Sequence, residues 1–266
     1  MTVSKKYSLL IKIIKIIIII LIIVFLYLFI TKNINPNEQF NNIDNKKPIP
    51  KVIYMCHKNI NDIKKYSENW TKLNPNYEIK LYDNELCEKF LLEELSELHY
   101  NIFKFIPDGP IKADFWRVCI IFKKGGIYAD ADIKPIVPLK NYIENNVDFV
   151  TCISNNFNPS SENFQFNPHF IMAHAGDTIL EECINRYINY YNNNIEYKYW
   201  TWSICNLFII KNIKEKKSGI HYDENGKKYQ FLLERPDLET CEYNGNIVLN
   251  NRYDNYKDHK FVNSNN

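Results

Sequence analysis

Between residues 48 and 192 the apolar and polar positions fall into short strands alternating with amphipathic helices. Lys51–Cys56 is a compact apolar run after Pro50 and predicts a first strand. Ile63, Tyr66, Trp70 and Leu73 recur at three- and four-residue spacing. That period predicts a helix over 61–73, ended by Asn74-Pro75-Asn76. Tyr77–Tyr82 alternates polar with apolar and predicts a strand, and a helical period returns over 84–98. Asp108-Gly109-Pro110 reads as a turn, 111–124 as a helix, and Gly125-Gly126 as its stop. Ile127–Ala129 and 147–153 read as further strands and 177–192 as a helix. Strands alternating with helices predict an α/β sandwich with a largely parallel sheet. There is no internal repeat.

The N-terminal segment follows a different pattern. Residues 9–30 are apolar apart from Lys12 and Lys15, and Ile16–Ile30 is unbroken. A membrane span needs about 20 apolar residues, which the run supplies if the two lysines reach back to the headgroups. Thr31-Lys32-Asn33-Ile34-Asn35 offers no small-residue cleavage site, so the expectation is a signal-anchor and not a cleaved signal peptide. Lys5, Lys6, Lys12 and Lys15 precede the span's unbroken part, and Lys32 follows it. The positive-inside rule then puts residues 1–8 in the cytosol and the rest beyond the membrane, a single-pass type II arrangement. Residues 31–47 are polar, Asn-rich and aperiodic, and read as a stem. The folded domain is expected to span 48–266.

Composition narrows the function. Hydrophobic residues make up 45% and charged residues 24%, which excludes a disordered chain. A net charge of +2 with lysines interleaved among acids gives no basic stripe, so no nucleic-acid partner is expected. The seven cysteines stand far apart, none at the spacing of a zinc motif, so the sequence argues against a structural zinc. In an oxidising compartment some would pair, with at least one left free. Asn69-Trp70-Thr71 is a glycosylation sequon with a bulky middle residue.

The chemistry concentrates in KKGGIYADADIKPI, residues 123–136. Asp130 and Asp132 follow a buried strand, beyond its carboxyl end, where ligands collect in open α/β folds. If the backbone stays extended, both side chains point to one side. Two carboxylates facing one way repel each other unless a cation lies between them. Mg²⁺ or Mn²⁺ fills that role, completing its shell with water and phosphate oxygens. Upstream, Asp114 and Arg117 lie three apart on a helix whose other positions are apolar nearly all round. A buried ion pair is costly without a task or a partner.

These residues carry a resemblance. The run IKADFWRVCIIFKKGGIYADADIKPI resembles the A-D-x-x-R, G-G-I-Y, D-x-D signature of glycosyltransferase family 32, the enzymes with a DXD sugar-binding motif. IPKVIYMCHK and NPNYEIKLYDNE resemble that family's first strand and the stretch after it, so the likeness covers about residues 48–140. It implies a GT-A fold, a Rossmann-like α/β/α sandwich with a mixed, mostly parallel sheet. It also implies an Mn²⁺- or Mg²⁺-dependent transfer of a hexose, with retention, from a UDP- or GDP-sugar to a glycan or glycolipid. Carried over, Asp132 binds the metal directly and Asp130 reaches the ribose and the metal shell. Asp114 and Arg117 contact the donor sugar and its phosphates. Gly125 and Gly126 allow a tight turn under the nucleotide, beside Tyr128. The family's C-terminal metal ligand falls on His259, although the Gly and Trp that usually follow are missing here.

The chain departs from the family at the first strand, where Tyr54 and His57 stand for the usual residues and His57 is the candidate to stack on the base. Asn167 is a candidate donor or acceptor contact in NFQFNPHFIMAHAGDTIL. His169 and His174, five apart, do not read as a metal pair. Trp200 and Trp202 are open to two readings, acceptor wall or core. No carboxylate nucleophile is evident, which favours a front-face route in which the leaving phosphate deprotonates the acceptor. Two alternatives stay open: an idle membrane-anchored binder of sugar nucleotides, and a haloacid-dehalogenase-like phosphatase. The phosphatase would want Thr or Val where Lys134 stands.

Overall fold

The computed structural model describes residues 48–154, 164–211, 213 and 216–251, together with Ile18, Ile20, Leu21, Ile22 and Val24. The chain divides into two units, Met1–Lys47 and Pro48–Asn266. In the first, the five described residues are helical and exposed. The expected anchor therefore lies largely outside the described residues, among which no helix is long and apolar enough to cross a membrane. His259 also lies outside them.

The second unit opens with β1 (Val52–Cys56), α1 (Ile60–Leu73) and β2 (Glu78–Tyr82). Asn59 caps α1 by accepting the Asn61 N–H, and Ile63, Ser67 and Trp70 form its buried stripe. The sequon lies inside this helix, with Trp70 fully buried. The single helix expected over 84–98 is instead two, α2 (Asn84–Glu94) and α3 (Glu97–Phe105). They part at Leu95-Ser96, where Ser96 is extended and its hydroxyl is taken by His99 Nδ1 at 2.8 Å. Pro110 sits in the first turn of α4 (Gly109–Lys124), where its missing N–H costs nothing. Nine residues of α4 are buried, Asp114 and Arg117 among them.

Gly125 ends α4 with φ 65°, and β3 (Gly126–Ala129) follows at once. A short β4 (Lys134–Pro135), β5 (Phe149–Ser154), β6 (Gln165–Ala173) and α5 (Thr178–Asn192) come next. Two single-turn helices, α6 (Tyr199–Trp202) and α7 (Ile204–Leu207), lead to β7 (Gly219–Tyr222), β8 (Lys228–Arg235), β9 (Thr240–Tyr243) and β10 (Asn246–Asn250).

The strands form one sheet in the order β2-β1-β3-β6-β5-β8-β9-β10-β4, with β7 on β8. The sheet is mixed, and the expectation of a largely parallel one needs correcting. Among the described strands only β1–β2, β1–β3 and β5–β8 pair in parallel, and the other neighbours run antiparallel. The reason is connection length: the N-terminal strands are joined through helices, whereas β8, β9 and β10 are joined by tight turns. The β9–β10 turn is Asn244-Gly245, with φ of 52° and 75°, the Asn-Gly hairpin signal.

Apolar residues cover both faces of the sheet. On one face Trp70 of α1 stacks on Phe170 at 6.2 Å and donates its indole N–H to the Ile133 carbonyl at 3.1 Å. On the other, Trp116 and Phe115 of α4 pack with Tyr128 of β3 and Tyr187 of α5.

Gly126 has no substitute at its position. Its φ is 106°, and a Cβ there would sit 2.9 Å from the Val52 carbonyl oxygen. Gly126→Ala is expected to destabilise the fold by about 1–3 kcal/mol, read as a lower urea midpoint.

Candidate active site at the end of β3

The site grows out of α4 and the end of β3. Arg117 is 4% exposed and holds two carboxylates at once. Its Nη2 lies 2.9 Å from Asp114 Oδ1 and 2.9 Å from Asp130 Oδ1. Its Nη1 donates to the Pro168 carbonyl at 2.9 Å, and its guanidinium sits 4.8 Å over the Tyr128 ring. The Tyr128 hydroxyl donates to Asp130 Oδ1 at 2.6 Å. Asp114 uses its other oxygen to accept the Ile204 N–H at 3.0 Å, at the start of α7. Burial pushes the Asp114 carboxyl up to about 6, against the opposing pull of Arg117 and of the Ile204 amide.

The two aspartates do converge, but not by strand alternation. The backbone leaves β3 at Asp130 and turns, with the Ile133 N–H bonded to the Asp130 carbonyl at 3.1 Å. Aspartate is a favoured first residue of such a turn. Asp132 therefore faces the same hollow as Asp130 from across a turn. Burial, then the charge of Asp130, raise its carboxyl to about 7, against the pull of His169 and Arg117. Protein surrounds Asp132 on most sides, yet it keeps a partly exposed surface on the hollow. Two oxygen-donor carboxylates facing one solvent-connected space suit a hard divalent cation.

Two cavities meet at Pro110, Arg117, Asp130 and Asp132. The smaller, about 330 Å³, runs toward His57, Lys58, Tyr128 and Lys112. The larger, about 510 Å³, runs past Asp114 toward Asn167, His169, Trp200 and Glu234.

Residues 61–149 match the family described as glycosyltransferase sugar-binding region containing DXD motif. That stretch is similar to the DXD glycosyltransferases. Over 112 residues the chain is 31% identical to the initiation-specific alpha-1,6-mannosyltransferase of Candida albicans (strain SC5314 / ATCC MYA-2876), covering 38% of this chain and 29% of that protein. Over 179 residues it is 25% identical to the protein of the same name from Saccharomyces cerevisiae (strain ATCC 204508 / S288c), covering 59% and 36%. The chain thus spans about a third of the length of these curated relatives. Among solved structures it is similar to PaToxG glycosyltransferase, at TM-score 0.44 and 15% identity, over 67% of this chain and 76% of that one.

Asp114, Arg117, Asp130 and Asp132 come together where the cavities join, with Tyr128 and His57 on the smaller and Asn167 on the larger. Three expected donor contacts lie elsewhere. Tyr54 points into the core, 4% exposed, and lines neither cavity. Gly125 and Gly126 sit at the opposite end of β3 from Asp130, packed against Pro50, Val52 and Ala175. They make the tight passage from α4 into β3. Trp202 is fully buried, whereas Trp200 is 65% exposed at the larger cavity, so the two tryptophans divide between core and wall.

Apart from Asn167, the far wall of the larger cavity draws on residues that no local motif marks. Glu234 accepts hydrogen bonds from Asn167 Nδ2 at 2.7 Å and Asn251 Nδ2 at 2.8 Å. With both oxygens engaged, it is a positioning group and not a nucleophile. His169 turns Nδ1 toward Glu234 at 3.8 Å and Nε2 toward Cys241 Sγ at 3.2 Å. Burial favours neutral His169, but Cys241, Glu234 and Asp130 outweigh it and hold the imidazole up to about 9. Burial keeps the Cys241 thiol protonated, so the carboxylates are the physical source of that pull. His174 belongs to a different place, 3.6 Å from Asp148. The partners of His169 lie 72 positions away in Cys241 and 65 in Glu234, beyond any local motif.

Proposed function

We propose that the chain is a metal-dependent hexosyltransferase that moves a mannose-, galactose- or N-acetylglucosamine-type sugar from a nucleotide diphosphate to a glycan or glycolipid, with retention. The observation that carries this reading is the buried Arg117 clamped between Asp114 and Asp130 where two cavities meet, with Asp132 facing the same space. The names of the curated relatives favour mannose among the sugars. Residues 9–30 would anchor the protein in a bilayer, with the catalytic domain lumenal or otherwise extracytoplasmic.

The smaller cavity is the place for the nucleotide, with His57 beside the base and Lys58 and Lys112 supplying positive charge. The larger one takes the sugar and the acceptor. Mn²⁺ or Mg²⁺, held by Asp132 with Asp130 in its shell, would neutralise the growing charge of the departing diphosphate. Arg117 adds a fixed positive charge to the same oxygens, and Asp114 and the Tyr128 ring beneath the guanidinium keep it aimed. Asp114 and Asn167 offer hydrogen bonds to sugar hydroxyls, and the Trp200 ring offers an apolar face to the acceptor. The departing phosphate oxygen takes the acceptor proton, so no side-chain base is required.

Donor hydrolysis tests the reading. With Mn²⁺ the full chain should slowly release UDP or GDP from one member of a nucleotide-sugar panel. No release across the panel would instead favour an idle binder, and phosphate release from a phosphomonoester would favour a phosphatase.

A further inference from the structure

Behind the Asp130 turn, three strands bring together side chains that no local spacing connects. Cys152 comes from β5, His169 from β6 and Cys241 from β9, and all are buried. The Sγ atoms of Cys152 and Cys241 are 3.9 Å apart, His169 Nε2 is 3.2 Å from Cys241 Sγ, and all three ligand atoms lie within 4.8 Å of one another. Tetrahedral zinc with bonds of about 2.3 Å to sulfur and 2.0–2.1 Å to nitrogen separates its ligands by roughly 3.5–3.8 Å.

A disulfide does not explain the pair. β8 lies between β5 and β9, with Cys152 opposite Leu232 on one side and Cys241 opposite Glu234 on the other. Two strand spacings are roughly 9–10 Å, beyond the Cα separation of about 4.4–6.8 Å that a disulfide allows. All seven cysteines are free. A metal ion spans the gap that a sulfur–sulfur bond cannot.

The surroundings point the same way. A ligating histidine commonly turns its second ring nitrogen to a carboxylate that fixes the ring. His169 does this toward Glu234, itself held by Asn167 and Asn251. An oxygen donor is also at hand, since the Cys241 thiol donates to Asn251 Oδ1 at 3.2 Å. Thiol and imidazole ligands select soft or borderline ions over the hard ion suited to Asp130 and Asp132.

We propose that Cys152, His169 and Cys241 bind a structural Zn²⁺ ion that ties β5, β6 and β9 together beneath the candidate donor site. The ion would brace that site, because the His169 carbonyl accepts the Asp130 N–H at 3.0 Å and the next carbonyl, Pro168, holds Arg117. The proposal stands apart from the donor reading and from the cation at Asp132.

Elemental analysis of the full chain, purified without chelator, is expected to find about one zinc per chain. Cobalt exchange should add the thiolate-to-cobalt charge-transfer band. Cys152→Ser and Cys241→Ser should lose both, while Cys119→Ser, in the core on the other face, and Asp132→Asn should keep both. Should Cys241→Ser fail to fold, zinc release from the wild-type chain by a mercurial thiol reagent decides in its place. Absence of stoichiometric zinc and of the cobalt band in the wild-type chain would overturn the proposal. So would full zinc content in Cys241→Ser.

Discussion

Replacing Arg117 with methionine is expected to cost the fold about 3–5 kcal/mol and to lower donor turnover by at least ~100-fold. Methionine fills much of the space, so the loss comes from charge and hydrogen bonds more than from packing. Asp114 would lose a partner at 2.9 Å while remaining 7% exposed, and Asp130 and the Pro168 carbonyl would lose theirs. Removing one member of a buried ion pair leaves the other uncompensated, which costs far more than the pair contributed. Arg117→Lys should not rescue turnover, because a single ammonium cannot reach both carboxylates and the carbonyl in the guanidinium geometry. Urea unfolding near neutral pH measures the first effect and nucleotide release the second. The two effects separate in Arg117→Met/Asp114→Asn, which removes one stranded charge: part of the stability should return and the turnover should not.

Asp132→Asn should have the opposite effect on stability. In the metal-free protein the Asp132 carboxyl stands at about 7 against an ordinary value of 3.8, mainly through burial. A carboxyl raised in the folded state binds protons that the unfolded chain has already released. Its contribution is therefore complete at low pH and is lost as pH rises through the ordinary value toward 7. Asparagine cannot ionise, so the variant should overtake the wild type across that window and keep its lead above it. A shift of this size corresponds to ~4 kcal/mol if fully expressed, and the opening to the cavity reduces the expected gain to roughly 1–2 kcal/mol. Thermal unfolding with chelator at a series of pH values measures it. Adding Mn²⁺ should stabilise the wild type and leave the variant unmoved.

Much of the N-terminal half was legible from local signals. Gly125-Gly126 marked the end of α4, and the three-residue spacing of Asp114 and Arg117 put them on one face of it. The convergence of the aspartates was foreseen for a reason that does not hold, since the chain turns at Asp130 instead of staying extended. An Asp at the first position of a turn was the clue. The C-terminal half carries fewer local signals. Asn244-Gly245 announces a hairpin, and the antiparallel pairs β8–β9 and β9–β10 around it, with β6 antiparallel to both β3 and β5, make the sheet mixed. The cluster of Cys152, His169 and Cys241 depends on three strands meeting across 89 residues of chain, and spacing rules for metal motifs do not reach that far. Tyr54 and His57, near neighbours in sequence, point to core and cavity respectively, a division that sequence spacing does not reveal.

Calorimetric titration of UDP- and GDP-sugars into the full chain, with and without Mn²⁺, tests the central claim most directly. The expected result is saturable binding of one donor that requires Mn²⁺ and disappears in Asp132→Asn. Binding that is indifferent to the cation and to Asp132, or no binding by any donor of the panel, would contradict the account.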